Sequence, residues 1–345
     1  MARALDYRGI GYDTGTDYLP ERHSREDWTL QGMRDDILLI RDGLHCNAVN
    51  VFGSYPDHIA ACAEFAAECG LVVWVQPHPV DVVDAVAFDQ IARVAETAES
   101  LRRRGADVRM NLGCEFSLFA RGIVPGRSYT ARARALYVLW PAMAVVNRRL
   151  DRYLARAAAV ARSRFTGELT YGAGSWEKVD WRTFDAVGVN LYRDSYNAAG
   201  FERTLDGLVG QGKPVLITEF GCCSYPGADR RGAGGDTVVD WRDLDAPRVK
   251  GDHPRDEEVQ RRYIAELLDL FGAHGVSGAF VFEFSESTYP RSDDPRRDID
   301  VAGFGVLAAV PRVGGEAGRA YDLVPKAAFH EIARRYAGAG GSAPV

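Results

Sequence analysis

The chain has 345 residues, 46% apolar and 26% charged, a globular composition too apolar for disorder. Its formal net charge of −6 argues against a polyanionic partner, because nucleic acid calls for a basic face. Residues 1–13 lack the apolar stretch of a secretory leader, and the longest apolar run, 137–146, is interrupted by Pro141 and too short to span a membrane.

In chain order, the first β-type run is 8–13, which contains Gly9-Ile10-Gly11. Those glycines begin inside the strand, so they make a poor phosphate-binding turn. Further runs follow at 47–52, 71–76, 108–115, 168–172, 184–192, 214–219 and 278–284. Several, such as the apolar stretch 71–75, do not alternate, as expected of parallel strands covered on both faces. Helical patterns separate many of them, at 57–69, 85–104, 128–164, 200–211 and 257–274, with a closing one at 325–336. Eight strands alternating with helices predict an α/β fold, a single-domain (β/α)8 TIM barrel over 1–337, followed by a frayed, disordered tail at 338–345. A doubly wound open sheet is the rival. Three segments exceed ordinary connections: a helical insertion after the fourth strand that breaks near Pro141, and long loops at 221–254 and 286–303. Both loops leave the carboxyl ends of strands, where barrel enzymes build their sites.

Six cysteines without paired spacing fit reduced thiols and a cytoplasmic protein. Cys62 and Cys69 lie seven apart on one helix, and Cys222-Cys223 reads as small-residue packing. Scattered histidines and the absence of HExxH or CxxC pairs leave no metal signature, and the acidic loop 292–300 lacks a calcium-loop glycine. No cofactor is expected, and no nucleic acid or membrane partner.

Glu115 and Glu219 each close an apolar strand, where an unanswered carboxylate costs free energy. On the fourth and seventh strands both can face one barrel mouth. Two carboxyl groups about 5–5.5 Å apart serve as acid/base and nucleophile at an anomeric carbon. Their proximity drives their pKa values apart.

At these residues the sequence resembles the clan of retaining glycoside hydrolases with (β/α)8 barrels. Thr218-Glu219-Phe220-Gly221 is similar to the clan's nucleophile strand, and Asn190-Leu191-Tyr192 to the segment whose tyrosine bonds the nucleophile. Lys213-Pro214 before the seventh strand also fits. The resemblance implies Glu115 as acid/base, Glu219 as nucleophile and Tyr192 as its orienting partner. It also shows departures: Cys114 replaces the asparagine that binds the sugar 2-hydroxyl, and Asn50 is the nearest match to an arginine supporting the nucleophile. The run Phe282-Glu283-Phe284 replaces a tryptophan platform.

Other candidates for lining the mouth are Tyr12 and Asp13 at the end of strand one, His78 after strand three, and Trp176 as a stacking surface. Trp181 reads as packing for a following helix. Glu283 and Glu286 offer a second acidic pair, for a cationic substrate group or, by slight preference, for ion pairing with Arg291, Arg296 and Arg297. The first functional reading is hydrolysis of a small glycoside, a small-molecule substrate. The alternatives are a non-sugar cyclisation, isomerisation or elimination by the same acids, and a non-catalytic barrel binding a ligand or partner protein.

Overall fold

The computed structural model describes residues 5–18, 23–312 and 320–338. The predicted runs become eight parallel strands: Tyr7–Asp13, Ala48–Gly53, Val72–Pro77, Val108–Cys114, Leu169–Gly174, Val187–Asn190, Val215–Phe220 and Gly278–Val281. They pair in sequence, and the eighth closes on the first through Tyr7–Gly278 to Ile10–Val281, giving a closed barrel. The doubly wound sheet is thereby excluded.

Alternation along each strand sorts the side chains. Outward residues such as Val49 and Val51 join a core shared with the surrounding helices, where Pro56–Glu68 buries Ile59, Cys62, Ala63 and Ala66. Inward residues Ala48, Trp74, Ala186, Leu216 and Phe280 plug the amino-terminal end of the barrel. A Cβ on Gly9 would overlap the Phe280 ring, so the first glycine of Gly9-Ile10-Gly11 makes room for a core aromatic. Above this plug the interior turns polar. Asn50 Nδ2 and Asn111 Nδ2 both donate to Gln76 Oε1, at 2.9 and 2.6 Å, and Asn111 Oδ1 accepts from Gly172 N at 3.0 Å.

The predicted helices appear at Pro56–Glu68, Asp84–Arg103, Phe201–Val209, Glu257–Ala273 and Ala327–Gly338. The insertion after strand four is two helices, Tyr129–Val138 and Met143–Arg162, broken by a 3-10 turn at Trp140–Ala142 where Pro141 removes a donor. An additional helix, Leu30–Leu38, is capped by Thr29 Oγ1, which accepts from Gly32 N, and buries Met33 and Ile37. Only a 3-10 turn, Trp181–Thr183, links strands five and six, so Trp181 packs on Phe184 without a following helix. Gly338 ends the last helix, and the rest of the expected tail lies outside the described residues.

The two long loops and the segment that follows them carry short strands of their own. Val239–Asp240 pairs with Arg248–Val249, while Ser285–Pro290, Leu307–Pro311 and Tyr321–Pro325 form a three-stranded sheet. The acidic loop 292–300 serves ion pairs: Arg255 bonds Asp298 at 2.6 Å and Asp300 at 2.7 Å, and buried Lys326 bonds Asp300 at 3.1 Å. All six cysteines are free thiols, and Cys223 Sγ donates to Ala302 O at 3.0 Å. Among the described residues no His, Cys, Asp and Glu cluster could hold a metal ion, and no helix is long and apolar enough to cross a membrane.

Arg132 fixes the insertion to the barrel. Its side chain is fully buried; Nε donates to Leu118 O at 2.6 Å, Nη1 to Gly126 O and Nη2 to Phe119 O, each at 3.1 Å, and Nη2 also pairs with Asp81. Replacing it leaves several acceptors unanswered and Asp81 without its cation, with Tyr129 N at 2.9 Å as its remaining donor among the described residues. Arg132→Met should therefore cost about 3 kcal/mol, read as a lower urea midpoint at unchanged slope. A variant within 0.5 kcal/mol of the parent, roughly the range of neutral surface changes, would show that the insertion is held otherwise.

Candidate active site

Strict alternation would not bring both glutamates inward. On strand seven, Thr218 faces the interior, so Glu219 should point out. The pairing register slips at both neighbours: Val189 faces Ile217 but Asn190 faces Glu219, and Ala279 faces Ile217 but Val281 faces Phe220. This bulge turns Glu219 toward the mouth. Strand four slips against strand five between Asn111 and Cys114, with Gly113 at φ 143° and Glu115 at φ 44°, ψ 46°. A left-handed glutamate is strained and persists only where its surroundings demand it. Here Glu115 N donates to Gly172 O at 2.9 Å, Glu115 O accepts from Leu118 N and Phe119 N, and Tyr171 Oη accepts from Phe116 N.

One amide connects the two acids. Asn190 Nδ2 donates to Glu115 Oε1 at 3.1 Å, its Oδ1 accepts from Thr218 Oγ1 at 2.7 Å, and its side chain also hydrogen-bonds Glu219. Cys114 adds a thiol donor to Glu219, and Tyr192 Oη stands 3.5 Å from Glu219 Oε2, the outer limit of a hydrogen bond. Both carboxyl groups are half-buried and keep access to solvent.

Their environments differ. Burial pushes Glu219 up to about 7, against the pull of the hydrogen bonds from Cys114, Asn190 and Tyr192, which favour its anion. Burial also pushes Glu115 well above the usual carboxylate range, with Glu219 and then Glu177 adding like-charge repulsion and Asn190 opposing. Three donors serve one acid and one serves the other. The pair therefore keeps its shared proton on Glu115 and its charge on Glu219.

The remaining candidates separate. His78 is buried, packs edge-on to Phe119 and Tyr18, and has Nδ1 3.7 Å from Cys114 Sγ. Burial lowers its pKa to about 4, so it is neutral. Asp13 is buried beneath the mouth, its Oδ1 accepting from Gly15 N and Thr16 Oγ1, both at 2.9 Å. Tyr12 is corrected: it faces outward to the helix Leu30–Leu38, donating to Asp36 Oδ2 at 2.9 Å beneath Arg25, because inward and outward positions alternate and Asp13 takes the inner one. Asn50 belongs to the polar layer with Gln76, and the hydrogen bonds to the nucleophile candidate come from Asn190, Cys114 and Tyr192 instead. Trp176 is half-buried and donates to Ser117 Oγ at 3.0 Å. Nor do Glu283 and Glu286 pair with the nearby arginines: Arg291 reaches Glu257, and Arg297 reaches Asp294. Sequence reasoning missed Asn190 as a bridge, and it missed Tyr18, whose ring meets His78, Phe119 and Tyr129 and whose hydroxyl feels both Glu219 and Glu283. An aromatic residue a few positions beyond a strand end was the available signal.

No family model matches the chain, and no curated protein does. Solved structures share its fold. A complex structure of a GH113 β-1,4-mannanase aligns over 97% of this chain and 99% of its own, with TM-score 0.60 and 14% identity. The GH113 β-mannanase AaManA of Alicyclobacillus acidocaldarius aligns over 97% and 98%, with TM-score 0.57 and 16% identity. A GH5-4 broad-specificity endoglucanase from Clostridium longisporum covers 97% of both chains, with TM-score 0.52 and 11% identity. The resemblance to (β/α)8 glycoside hydrolases stands at the level of the fold.

A folded-state pKa raised above the unfolded value makes a carboxyl stabilising below about pH 4.5 and costly once pH passes through about 7. Glu219→Gln should thus stabilise the protein at pH 8, by on the order of 2 kcal/mol, and the gain should fade toward pH 4.5. Urea midpoints of both proteins at the two pH values check this; equal differences at both would show that Glu219 carries no raised pKa.

Proposed function

We propose that this chain is a retaining glycosidase acting on a small glycoside. The observation that carries the reading is the convergence of Glu115 and Glu219 on one asparagine with unequal shares of hydrogen-bond donors. Glu115, holding the proton, delivers it to the glycosidic oxygen as the bond from the anomeric carbon to that oxygen breaks. Glu219, whose anion is favoured by Cys114, Asn190 and Tyr192, attacks the same carbon and forms a glycosyl ester. Glu115, now a base, takes a proton from water, whose oxygen displaces Glu219 and releases the sugar with its configuration retained.

The carry-over of glycosidic chemistry draws on solved neighbours described as a β-1,4-mannanase, a β-mannanase and an endoglucanase. A small substrate fits the two long loops, which bond to each other from Val249 N to Arg296 O at 2.9 Å and from Ser224 N to Val301 O at 2.8 Å. The rival reading, a non-sugar reaction by the same acids, draws on Cys114 and Phe282, which stand where partners for ordinary sugars are expected.

Glu219→Gln should lower kcat on aryl glycosides by about a thousandfold or more, a loss of at least 4 kcal/mol of transition-state stabilisation. A 2- or 5-fluorinated glycosyl fluoride should add one glycosyl mass to the parent protein and none to the variant. Near-native turnover by Glu219→Gln would remove the nucleophile assignment. Silence of the well-folded parent toward a broad aryl glycoside panel would favour the rival.

A further inference from the structure

A third acid faces the same mouth. Glu283 follows the eighth strand and is only 4% exposed, yet its Oε2 has no hydrogen-bond partner among the described residues. Its Cβ lies near Gly11, where a Cβ would stand 3.8 Å away. Its charge is felt by both Tyr192 and Tyr18, and Glu283 in turn feels Glu219.

The neighbouring acids are all answered. Glu286 Oε2 accepts from Phe304 N at 2.5 Å and Gly305 N at 3.3 Å. Asp13 holds Gly15 N and Thr16 Oγ1, and Glu219 has its three donors. Arg25 is the nearby cation, but its guanidinium is engaged, Nη2 with Ser285 Oγ at 2.7 Å and Nη1 with Asp36 Oδ2 at 3.4 Å. An isolated buried carboxyl oxygen is costly, and the donor that answers it must come from outside this shell.

We propose that Glu283 gives the site a preference for glycosides bearing a protonated amino group, a specificity that rests on the glycosidase reading above. A hydroxyl would supply one hydrogen bond but could not offset the repulsion that a Glu283 anion meets from its neighbours. An ammonium supplies a charge-assisted bond and offsets that repulsion. Burial, with the like charges of Glu286, Asp13 and Glu219 outweighing Arg25, holds Glu283 well above the usual carboxylate range in the free protein. An ammonium ligand returns it to the anion, so binding releases a proton to solvent.

The test uses 4-nitrophenyl glycosides of glucose, galactose and mannose in both anomers, each beside its 2-amino, 6-amino and N-acetylamino counterparts. At least one free amine should exceed its hydroxyl parent by about tenfold in kcat/KM, the worth of one charge-assisted bond. Acetylation should abolish the advantage, and Glu283→Gln should bring the amine-to-hydroxyl ratio of kcat/KM to about one. Glu219-dependent hydrolysis of neutral glycosides without an amine preference, or a preference that survives in Glu283→Gln, overturns the inference and leaves the glycosidase reading standing. If no glycoside is turned over, that reading falls, and calorimetry with glucosamine hydrochloride against glucose decides for the parent protein alone. Tighter binding of glucosamine with proton release, seen as a buffer-dependent heat, supports the cation site; equal or absent binding overturns it.

Discussion

The mouth of this barrel depends on a single amide, Asn190, held between two acids that repel each other. Its Nδ2 and Oδ1 are both committed, to Glu115 and to Thr218, so its rotation is fixed and neither carboxyl can move far without unmaking a buried bond. Low-dielectric surroundings raise the cost of two like charges at this range. The structure resolves that cost by asymmetry. Glu219 receives a thiol, an amide and a phenol, while Glu115 receives the amide alone and is relieved by keeping a proton. The unequal protonation of the two acids thus follows from their unequal donors.

That arrangement requires irregular strands. A regular eight-stranded barrel would turn Glu219 outward, and the slip at Thr218 and Glu219 brings it in. On strand four Asn111 faces the interior and Glu115, four residues on, falls on the same face, with the slip between them leaving Gly113 and Glu115 at positive φ. Between these strands lies Gly172, where a Cβ would stand 3.0 Å from Cys114 Cβ, 3.1 Å from Asn190 Oδ1 and 3.2 Å from Thr218 Oγ1. Its missing side chain lets the residues of strands four, six and seven meet. The polar layer below, with Gln76 accepting from Asn50 and Asn111, ties the inner faces of strands two to four into one hydrogen-bonded floor.

The barrel was legible because continuous apolar runs mark strands buried on both faces, and Glu115 and Glu219 stood out because an acid rarely ends such a run without a purpose. What stayed hidden depends on register or on distant partners. Tyr12 and Asp13 are adjacent, and sequence cannot say which of two neighbours faces the barrel interior. Asn190 becomes a bridge only once strands four, six and seven are aligned. The helix Leu30–Leu38 carried a readable signal in Thr29 with Met33 and Ile37, weakened by Gly32 and the Asp35-Asp36 pair. Arginines near Glu283 and Glu286 in sequence suggested ion pairs, but Arg291 and Arg297 find Glu257 and Asp294 instead.

Acids elsewhere in the molecule show what makes the mouth different. Glu99 takes Arg102 and Arg103 together with Thr166 N, and its carboxyl falls well below the usual range. Glu331 is held by Arg334 and Arg335 and lowered to about 2. Asp300 has both Arg255 and Lys326. Glu177, beside the site, satisfies Ser117 N, Gly174 N and Tyr171 Oη, so it positions the chain around Glu115. These groups meet cations or a full set of donors wherever an acid supports the fold. Burial raises Glu115, Glu219 and Glu283 as it raises Glu177, but these three also stand near one another as like-charged groups at the carboxyl ends of strands four, seven and eight. A marginally stable protein tolerates few such groups, and their concentration at one end of one barrel is the physical ground for the proposed site.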